Sequence, residues 1–509
     1  MLGLLAAAAA VVSCGPRATF ATAVGATPVT ATSVGMQHGL DETLGLQRNT
    51  AIAAMLNDID PARIRHTDSV LVSFGTRNTL SDTMSASQGV GAARRWIHGQ
   101  FAQYSRECGG CLKVEYFGKV QQLRRVTAGD STYRSANIVD VLAWLPGRDT
   151  TSVVVMSGHY DSCVCGMPGG SFDSTATAPG ADDDGSGTSA IIELARVFSR
   201  RFPRGLRATV LFVAVGAEEQ GLNGSTQLAT RLHEQGYKVV AGMTDDIVGN
   251  VVAEDGRTDS TSVRIFAADP DNSPSRELGR YVWALDRVYM PSFEVLPVWR
   301  LDRIGRGGDH EPYVALGDAG LRFTERIENY NRQHLPTDDF SHVNFGYVAQ
   351  VARLNAVAVA SLAGSPPSPA NARAARQARA GVDPAGVAAA PTGTGGQAWT
   401  MSWDASPAAA SYELLIRRTT SPSWEQVIPI GSVTRCTLVR QLDDEWAGVR
   451  AVGVDGVRSV ASSMPAPNML RNLPGIRSAA NGLASPATIP PRATRETVQA
   501  TGPPPACGA

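Results

Sequence analysis

Residues Val153–Ser157 form a short apolar, β-branched run that stops at Gly158, and Ala208–Val215 form a second that stops at Gly216. Short continuous runs of this kind mark strands covered on both faces. Between them, Gly187–Phe202 places apolar residues at Ala190, Ile191, Leu194, Ala195, Val197 and Phe198. That three-and-four spacing predicts a helix. Strand, helix, strand predicts a parallel crossover, because parallel neighbours need a connection long enough to hold a helix. A further helical pattern over Val348–Leu362 closes one α/β unit, residues 36–363.

Downstream the pattern changes twice. Residues 364–397 are rich in Pro, Ala and Gly with a few Arg, which predicts a linker. Residues 398–463 carry short alternating runs separated by turn residues: Trp399–Trp403, Ser411–Ile416 and Gly448–Val452, then Asp455-Gly456. This predicts a small β-sandwich that resembles a fibronectin type III domain, with Trp403 and Tyr412 as core aromatics. Residues 464–509 are Pro-rich and polar, and a disordered tail is expected there.

At the other end, Met1–Val12 is almost wholly apolar. It is too short for a spanning helix of about 20 residues, and no other stretch reads as long enough to span a bilayer. It suits the apolar part of an export signal. Val11-Val12-Ser13-Cys14 resembles a bacterial lipobox, which implies lipidation of Cys14 and a membrane tether. The Ala- and Thr-rich sequence to residue 35 completes that segment.

Composition narrows the classes. Hydrophobic residues make up 43% and charged residues 18%, which excludes wholesale disorder. The net charge of -1 offers no basic excess to draw the chain to nucleic acid, so none is expected as a partner. Of seven cysteines, Cys108/Cys111 and Cys163/Cys165 are close pairs, and Cys436 and Cys507 are isolated. In an exported protein close pairs read as disulfides, with a zinc knuckle from the two pairs as the alternative. Which cysteine bonds which stays open.

The chemistry-bearing residues sit just past predicted strand ends, where ligand sites of open α/β sheets lie. They are His159 with Asp161, the loop Asp182-Asp183-Asp184-Gly185-Ser186-Gly187, Glu218-Glu219, Asp245-Asp246, and His334 with Asp338. Imidazole nitrogen and carboxylate oxygen are the ligands of hydrolytic zinc where no thiolate is used. Carboxylates crowded at one mouth repel one another unless cations compensate. Together and in this order, the five clusters closely resemble the M28 family of co-catalytic zinc peptidases, over roughly residues 85–362.

The resemblance implies a mixed, mostly parallel sheet with helices on both faces. It implies two Zn²⁺ per chain: His159 and Asp246 on one, Glu219 and His334 on the other, and Asp183 bridging. Asp161 would hold the His159 ring by a hydrogen bond. Glu218 would be the general base for a zinc-activated water. Asp182 and Asp184 compete with Asp183, and Asp245 competes with Asp246. Some relatives have an oxyanion-stabilising Tyr directly before the last ligand. Gln333 stands there in this chain, leaving Tyr330 and Tyr160 as candidates. Gly308-Asp309-His310 resembles a rim loop of the family, with His310 not a ligand. The segment 159–183 reads either as a pocket wall or as a surface insertion.

The implied activity is that of an exported metallo-exopeptidase, of the aminopeptidase type, acting on peptides or proteins. The alternatives are a carboxypeptidase or dipeptidase, with Arg303, Arg306 or Arg326 as a carboxylate clamp. A glutaminyl-cyclase-like enzyme on the same fold, and a non-catalytic surface-binding protein, complete the set. The terminal sandwich is a candidate contact for a polymer or a protein.

Overall fold

Each of the two central strands divides its side chains between two cores. Val154 and Met156 of one, and Val210, Phe212 and Ala214 of the other, face one apolar cluster. Val153 and Val155, with Leu211, Val213 and Val215, face a second. A strand buried on both sides has no polar face, which is why these runs lack alternation.

The computed structural model describes residues 44–127, 130–376, 398–465 and 506–507. The expected export segment 1–35, with Cys14, lies outside them. Helices α1 (Thr50–Met55), α2 (Pro61–Ser73) and α3 (Gly89–Glu107) lead into strands β1 (Lys113–Thr127), β2 (Asp130–Leu145) and β3 (Asp149–His159). Helix α4 (Gly187–Arg201), β4 (Ala208–Val215), α5 (Asn223–Glu234), β5 (Lys238–Asp245) and β6 (Ser262–Ala267) follow. Then come α6 (Pro274–Tyr289), β7 (Glu294–Val298), α7 (Glu311–Ala315), β8 (Gly320–Glu325) and α8 (Phe345–Gly364).

Among the described residues these strands make one eight-stranded sheet, ordered β1-β2-β4-β3-β5-β8-β6-β7. Its centre is parallel: β3 pairs with β4 and β5, and β5 with β8. Strands β1, β2 and β6 bring antiparallel pairings. Helices α5 and α7 cover one face, and α1–α4, α6 and α8 the other. The class read from the sequence, a mixed and mostly parallel α/β sheet covered on both faces, is what the chain adopts. One expectation is corrected. By length and composition α8 could cross a bilayer, but 78% of its most apolar window is buried inside the fold, so it is a core helix.

The C-terminal part forms two smaller antiparallel sheets. Strands β9 (Arg373–Arg376), β10 (Ala398–Ser402) and β13 (Arg435–Val439) make one. Strands β11 (Ala409–Arg418), β12 (Gln426–Gly431), β14 (Glu445–Gly453) and β15 (Ser462–Met464) make the other. Met401 and Cys436 from the first sheet share a core with Leu414, Ile416 and Val449 from the second. Trp403 and Tyr412 meet within it, ring centroids 5.5 Å apart.

Two boundaries move. Residues 373–376, expected in the linker, pair with Thr400 and its neighbours as the edge strand β9. Residues 506–507, expected in the disordered tail, return to the sandwich: Cys507 bonds Cys436, and Ala506 bridges Thr437. Pairing supplies what composition did not, since a backbone edge or a disulfide can order a segment with no apolar face of its own.

The sandwich is not a module swinging free. Leu415 and Trp424 belong to the main α/β core. Glu277 of α6 is buried and accepts from Arg280 (2.7 Å), from the Trp424 indole (2.8 Å) and from Ser463 (2.7 Å). Arg417 donates to Asp271 at 2.7 Å, and Arg280 to the Pro422 carbonyl at 2.9 Å.

Candidate active site

Strands β3, β4 and β5 are parallel neighbours, so their C-terminal ends lie side by side. His159 stands opposite Val215, and Ser157 opposite Thr244. This register brings the residues that follow each strand, namely Asp161, Glu218-Glu219 and Asp246, to one mouth. His334 arrives from the β8–α8 loop and Asp183 from the turn Ala181–Ser186 that opens α4.

The expected donors converge. Asp183 lies between the two imidazoles: Oδ1 is 3.1 Å from His159 Nε2 and Oδ2 is 3.0 Å from His334 Nε2. Glu219 Oε2 is 3.3 Å from His334 Nε2, and Asp246 Oδ1 is 3.9 Å from His159 Nε2. Although burial opposes ionisation, His334 and His159 hold the Asp183 carboxyl well below the usual carboxylate range. Burial pushes Glu218 and Glu219 well above it, with neighbouring carboxylates adding to the effect.

Hydrogen bonding separates the neighbouring aspartates. Asp182 Oδ1 accepts from the Gly249 amide at 2.7 Å. Asp184 accepts from the amides of His159 (3.0 Å) and Gly187 (2.9 Å). Asp245 accepts from Asn355 at 2.5 Å. All three carboxylates hold backbone or core, while Asp183 and Asp246 face the mouth. The Gly-Ser-Gly turn is a matter of space: a Cβ at Gly185 would lie 2.2 Å from Asp68 Oδ1, and one at Gly187 2.5 Å from Asp184 Oδ1.

Asp161 meets His159 through both its backbone and its side chain. The nearer partner of His159 Nδ1 is the Asp161 carbonyl, at 3.1 Å, with the carboxylate at 3.7 Å. The carboxylate also accepts from the amides of Glu218 (3.1 Å) and Glu219 (3.3 Å). It thus sets the turn that carries both glutamates, and its backbone orients the histidine. Several non-glycine residues here take left-handed backbone: Ala217 (φ 56°), Ile247 (φ 62°) and His334 (φ 59°). Ala217 precedes the Glu218-Glu219 pair, Ile247 follows Asp246 and His334 is itself a donor, and each conformation costs on the order of 1 kcal/mol or more. Strain of this kind persists where surrounding contacts impose it.

The other sequence candidates separate. Tyr160 is buried with its hydroxyl on the Val139 carbonyl at 2.8 Å, and Tyr330 is exposed. Neither is offered to a substrate at the mouth. His310 is buried with Nε2 on the Leu301 carbonyl at 2.8 Å, and burial lowers its pKa to about 4. The segment 159–183 is a pocket wall. Cys163 and Cys165 form a disulfide, Cys165 Sγ lies 3.7 Å from Glu219 Oε2, and the Gly166 amide donates to the His334 carbonyl at 3.0 Å. Cys108 bonds Cys111 away from the site.

Sequence reading gave no role to two residues that shape the mouth. Arg322 of β8, fully buried, pairs with Asp246 Oδ1 at 2.8 Å and Asp302 Oδ2 at 3.0 Å. Its signal was a lone arginine inside the apolar run Gly320–Phe323. Asp338 accepts from the amides of Asp182 and Asp183, both at 2.9 Å. It ties the His334 loop to the Asp183 turn, and its signal was its place four residues after His334.

This set suits a metal. Asp183 Oδ2 and Glu219 Oε1 are buried and accept no hydrogen bond among the described residues. Donor atoms of His159, Asp183 and Glu219 lie within 4.8 Å of one another. Tetrahedral zinc with ligands about 2.0–2.1 Å away sets neighbouring donors roughly 3.3 Å apart. The contacts of 3.0, 3.1 and 3.3 Å match that edge. Asp183, Glu219, Asp246 and His334 line a cavity of 460 Å³ together with Glu218, Arg306, Glu311 and Leu222. A larger hollow of 660 Å³ is lined by Glu254–Asp259 and Arg326–Tyr330, but Arg257 pairs there with Asp255 and Arg326 with Asp259.

Comparison with known proteins follows the same line. Residues 140–359 match the family described as peptidase family M28. A probable zinc metalloprotease of Pyricularia oryzae is 34% identical over 448 residues, covering 82% of this chain and 84% of the relative. One from Leptosphaeria maculans is 33% identical over 440 residues, covering 81% and 96%. Among solved structures, the Legionella pneumophila LapA aminopeptidase has a TM-score of 0.49 at 22% identity, over 67% of this chain and 81% of that one. A Porphyromonas gingivalis glutaminyl cyclase has a TM-score of 0.44 at 18% identity, over 59% and 97%. Identity above 30% across most of both chains, with the family match over the sheet that carries the donors, shows that the chain belongs to peptidase family M28 and is a zinc-dependent peptidase.

Proposed function

We propose that the protein is an exopeptidase of the aminopeptidase type that uses two zinc ions. His159 and Asp246 would hold one, Glu219 and His334 the other, and Asp183 both. The observation that carries this is Asp183 placed between the two imidazoles, with Glu219 and Asp246 on either side, in a cavity of 460 Å³. A hollow of that size takes a short peptide end rather than an extended chain. The Glu311 carboxylate in its lining suits a protonated amine.

When bound, zinc lowers the pKa of a water to about 7 and polarises the scissile carbonyl. Glu218 then takes the proton of the attacking water on its carboxylate and returns it to the leaving amine. Asp161 holds the backbone of Glu218 while this happens. Arg322 holds Asp246 from behind, and Asp338 holds the Asp183 turn. The peptide bond is cleaved without an acyl-enzyme.

Metal counting tests the reading. Purified protein is expected to carry two zincs per chain and to hydrolyse amino-acid anilides. Chelation is expected to remove both the metal and the activity, and added zinc to restore them. A single zinc per chain at full activity would sink the two-zinc assignment and favour a cyclase-like site.

Export and a lipid tether at Cys14 belong to the same proposal. They are supported by the apolar segment Met1–Val12 and by three disulfides, which persist in oxidising compartments. In cells expressing the full chain, the Cys14→Ser protein is expected in the soluble exported fraction and the parent in membranes. Equal partitioning of the two would refute lipidation.

A further inference from the structure

Three arginines near the site invite comparison as carboxylate receptors, and the structure separates them. Arg303 is spent on Glu328 and on Asp302, the latter at 3.0 Å. Arg326 pairs with Asp259 at 3.2 Å, outside the catalytic cavity. Arg306 lines the same cavity as Glu218, Asp183, Asp246 and His334. Its hydrogen bond goes to a neutral group, Gln333 Oε1 at 3.3 Å, and it makes no ion pair with a described carboxylate.

A guanidinium presents five N–H donors in a planar fork. Half-buried with one long hydrogen bond to an amide, Arg306 keeps most of them for something that enters the cavity. Its neighbour Gln333 directly precedes His334, which places the charge on the His334–Glu219 side of the mouth. Gly305 and Gly307 flank Arg306 on the cavity lining, and the Glu311 side chain, packed against Gly307, borders the approach on one side. Bidentate carboxylate is the anion whose shape fits this fork. A cavity of 460 Å³ keeps such a carboxylate within a residue or two of the bond being cut.

We propose that Arg306 is the receptor for a substrate carboxylate, so that the enzyme selects short peptides carrying one beside the scissile bond. This rests on the exopeptidase reading above. The carboxylate is either the free C-terminus of a dipeptide or an acidic side chain. The first source joins N-terminal cleavage to recognition of the opposite end, and makes dipeptides the best substrates.

Two substrate pairs distinguish the sources: Leu-Ala against Leu-Ala-amide, and Glu-anilide against Gln-anilide. One pair is expected to show a preference of about 10- to 100-fold for the carboxylate, the range of a charge-assisted bidentate contact. In Arg306→Gln that ratio should collapse to near one, chiefly through KM. Arg306→Lys should restore part of it, which a merely structural arginine would not predict. Absence of any preference in the parent, or its survival in Arg306→Gln, overturns the proposal. Equilibrium titration with a reduced-amide Leu-Ala analogue and its C-terminal amide reads the first source without turnover. Failure of all four substrates to be cut by zinc-loaded protein, with the analogue still preferring the acid form through Arg306, would instead refute the peptidase mechanism and leave the receptor standing.

Discussion

Glu218→Gln is expected to lower kcat by about 10²- to 10⁴-fold, the usual worth of a positioned proton-transfer group. The substitution keeps size and shape. The backbone amide of residue 218 would still donate to Asp161 Oδ1, 3.1 Å away in the parent, so the turn should survive. None of the donor atoms assigned to zinc is touched, so metal content should stay at the parent's value. What is lost is the carboxylate's ability to take a proton. Burial raises the Glu218 carboxyl well above its ordinary range, which makes it a better proton acceptor once ionised. As a base it works only when deprotonated, so the parent's kcat should climb with pH as its carboxyl loses its proton. The residual rate of the variant should lack that limb. Metal analysis, steady-state kinetics and a pH profile check all three statements. A variant with kcat within about threefold of the parent, at equal zinc content, would assign the base elsewhere.

The parts of this protein that sequence reading reached are those written in periodicity or in local order. Strands β3 and β4 announce themselves because both faces are buried, and α4 because its apolar residues recur at helical spacing. His159, Glu219 and Asp246 stand out because each lies at or just past a strand end, and Asp183 because it opens the Asp-Gly-Ser-Gly turn before α4. The neighbouring aspartates were not separable, since adjacent residues on a turn differ only in where the backbone aims them. Asp184 is taken by the amides of His159 and Gly187, and that is a fact of three dimensions. For the same reason periodicity could not show that the oxygen nearest to His159 Nδ1 is the Asp161 carbonyl rather than its carboxylate.

A buried polar layer beneath the mouth was equally invisible. Arg77 is fully buried and gives its guanidinium to the carbonyls of Tyr160 (2.6 Å), Pro179 (2.6 Å) and Gly180 (2.8 Å). Asp338 receives the next two amides of the same turn. Buried charge is tolerated when hydrogen bonding satisfies it, and a layer so satisfied is stiff. It therefore sets the spacing between Asp183 and His334 on which the metal assignment depends. No motif announces the layer as a whole, because its members come from the loop after α2, the 159–183 wall, the aspartate turn and the His334 loop.

Cutting the chain after residue 363 is expected to yield protein that aggregates or fails to fold, rather than a free-standing peptidase. Composition alone reads as a separate small sandwich joined through a Pro-, Ala- and Gly-rich linker. The contacts argue otherwise. Trp424 is buried in the α/β core, and its indole donates to Glu277. Glu277 lies on α6, whose Leu278 and Val282 pack in that same core. Truncation would strip two of the hydrogen bonds that satisfy a buried carboxylate and bare the surrounding apolar surface. Apolar surface returned to water costs about 25 cal/mol per Å². A domain of this kind has about 5–15 kcal/mol to lose. Trp424→Ala is the finer probe, because it leaves the sandwich in place. It should cost about 3–5 kcal/mol for the cavity, visible as a lowered midpoint in denaturant unfolding. A soluble monomer of residues 36–363 with the parent's activity and midpoint would show that the sandwich is an accessory after all. A Trp424→Ala protein as stable as the parent would show that the interface is held elsewhere.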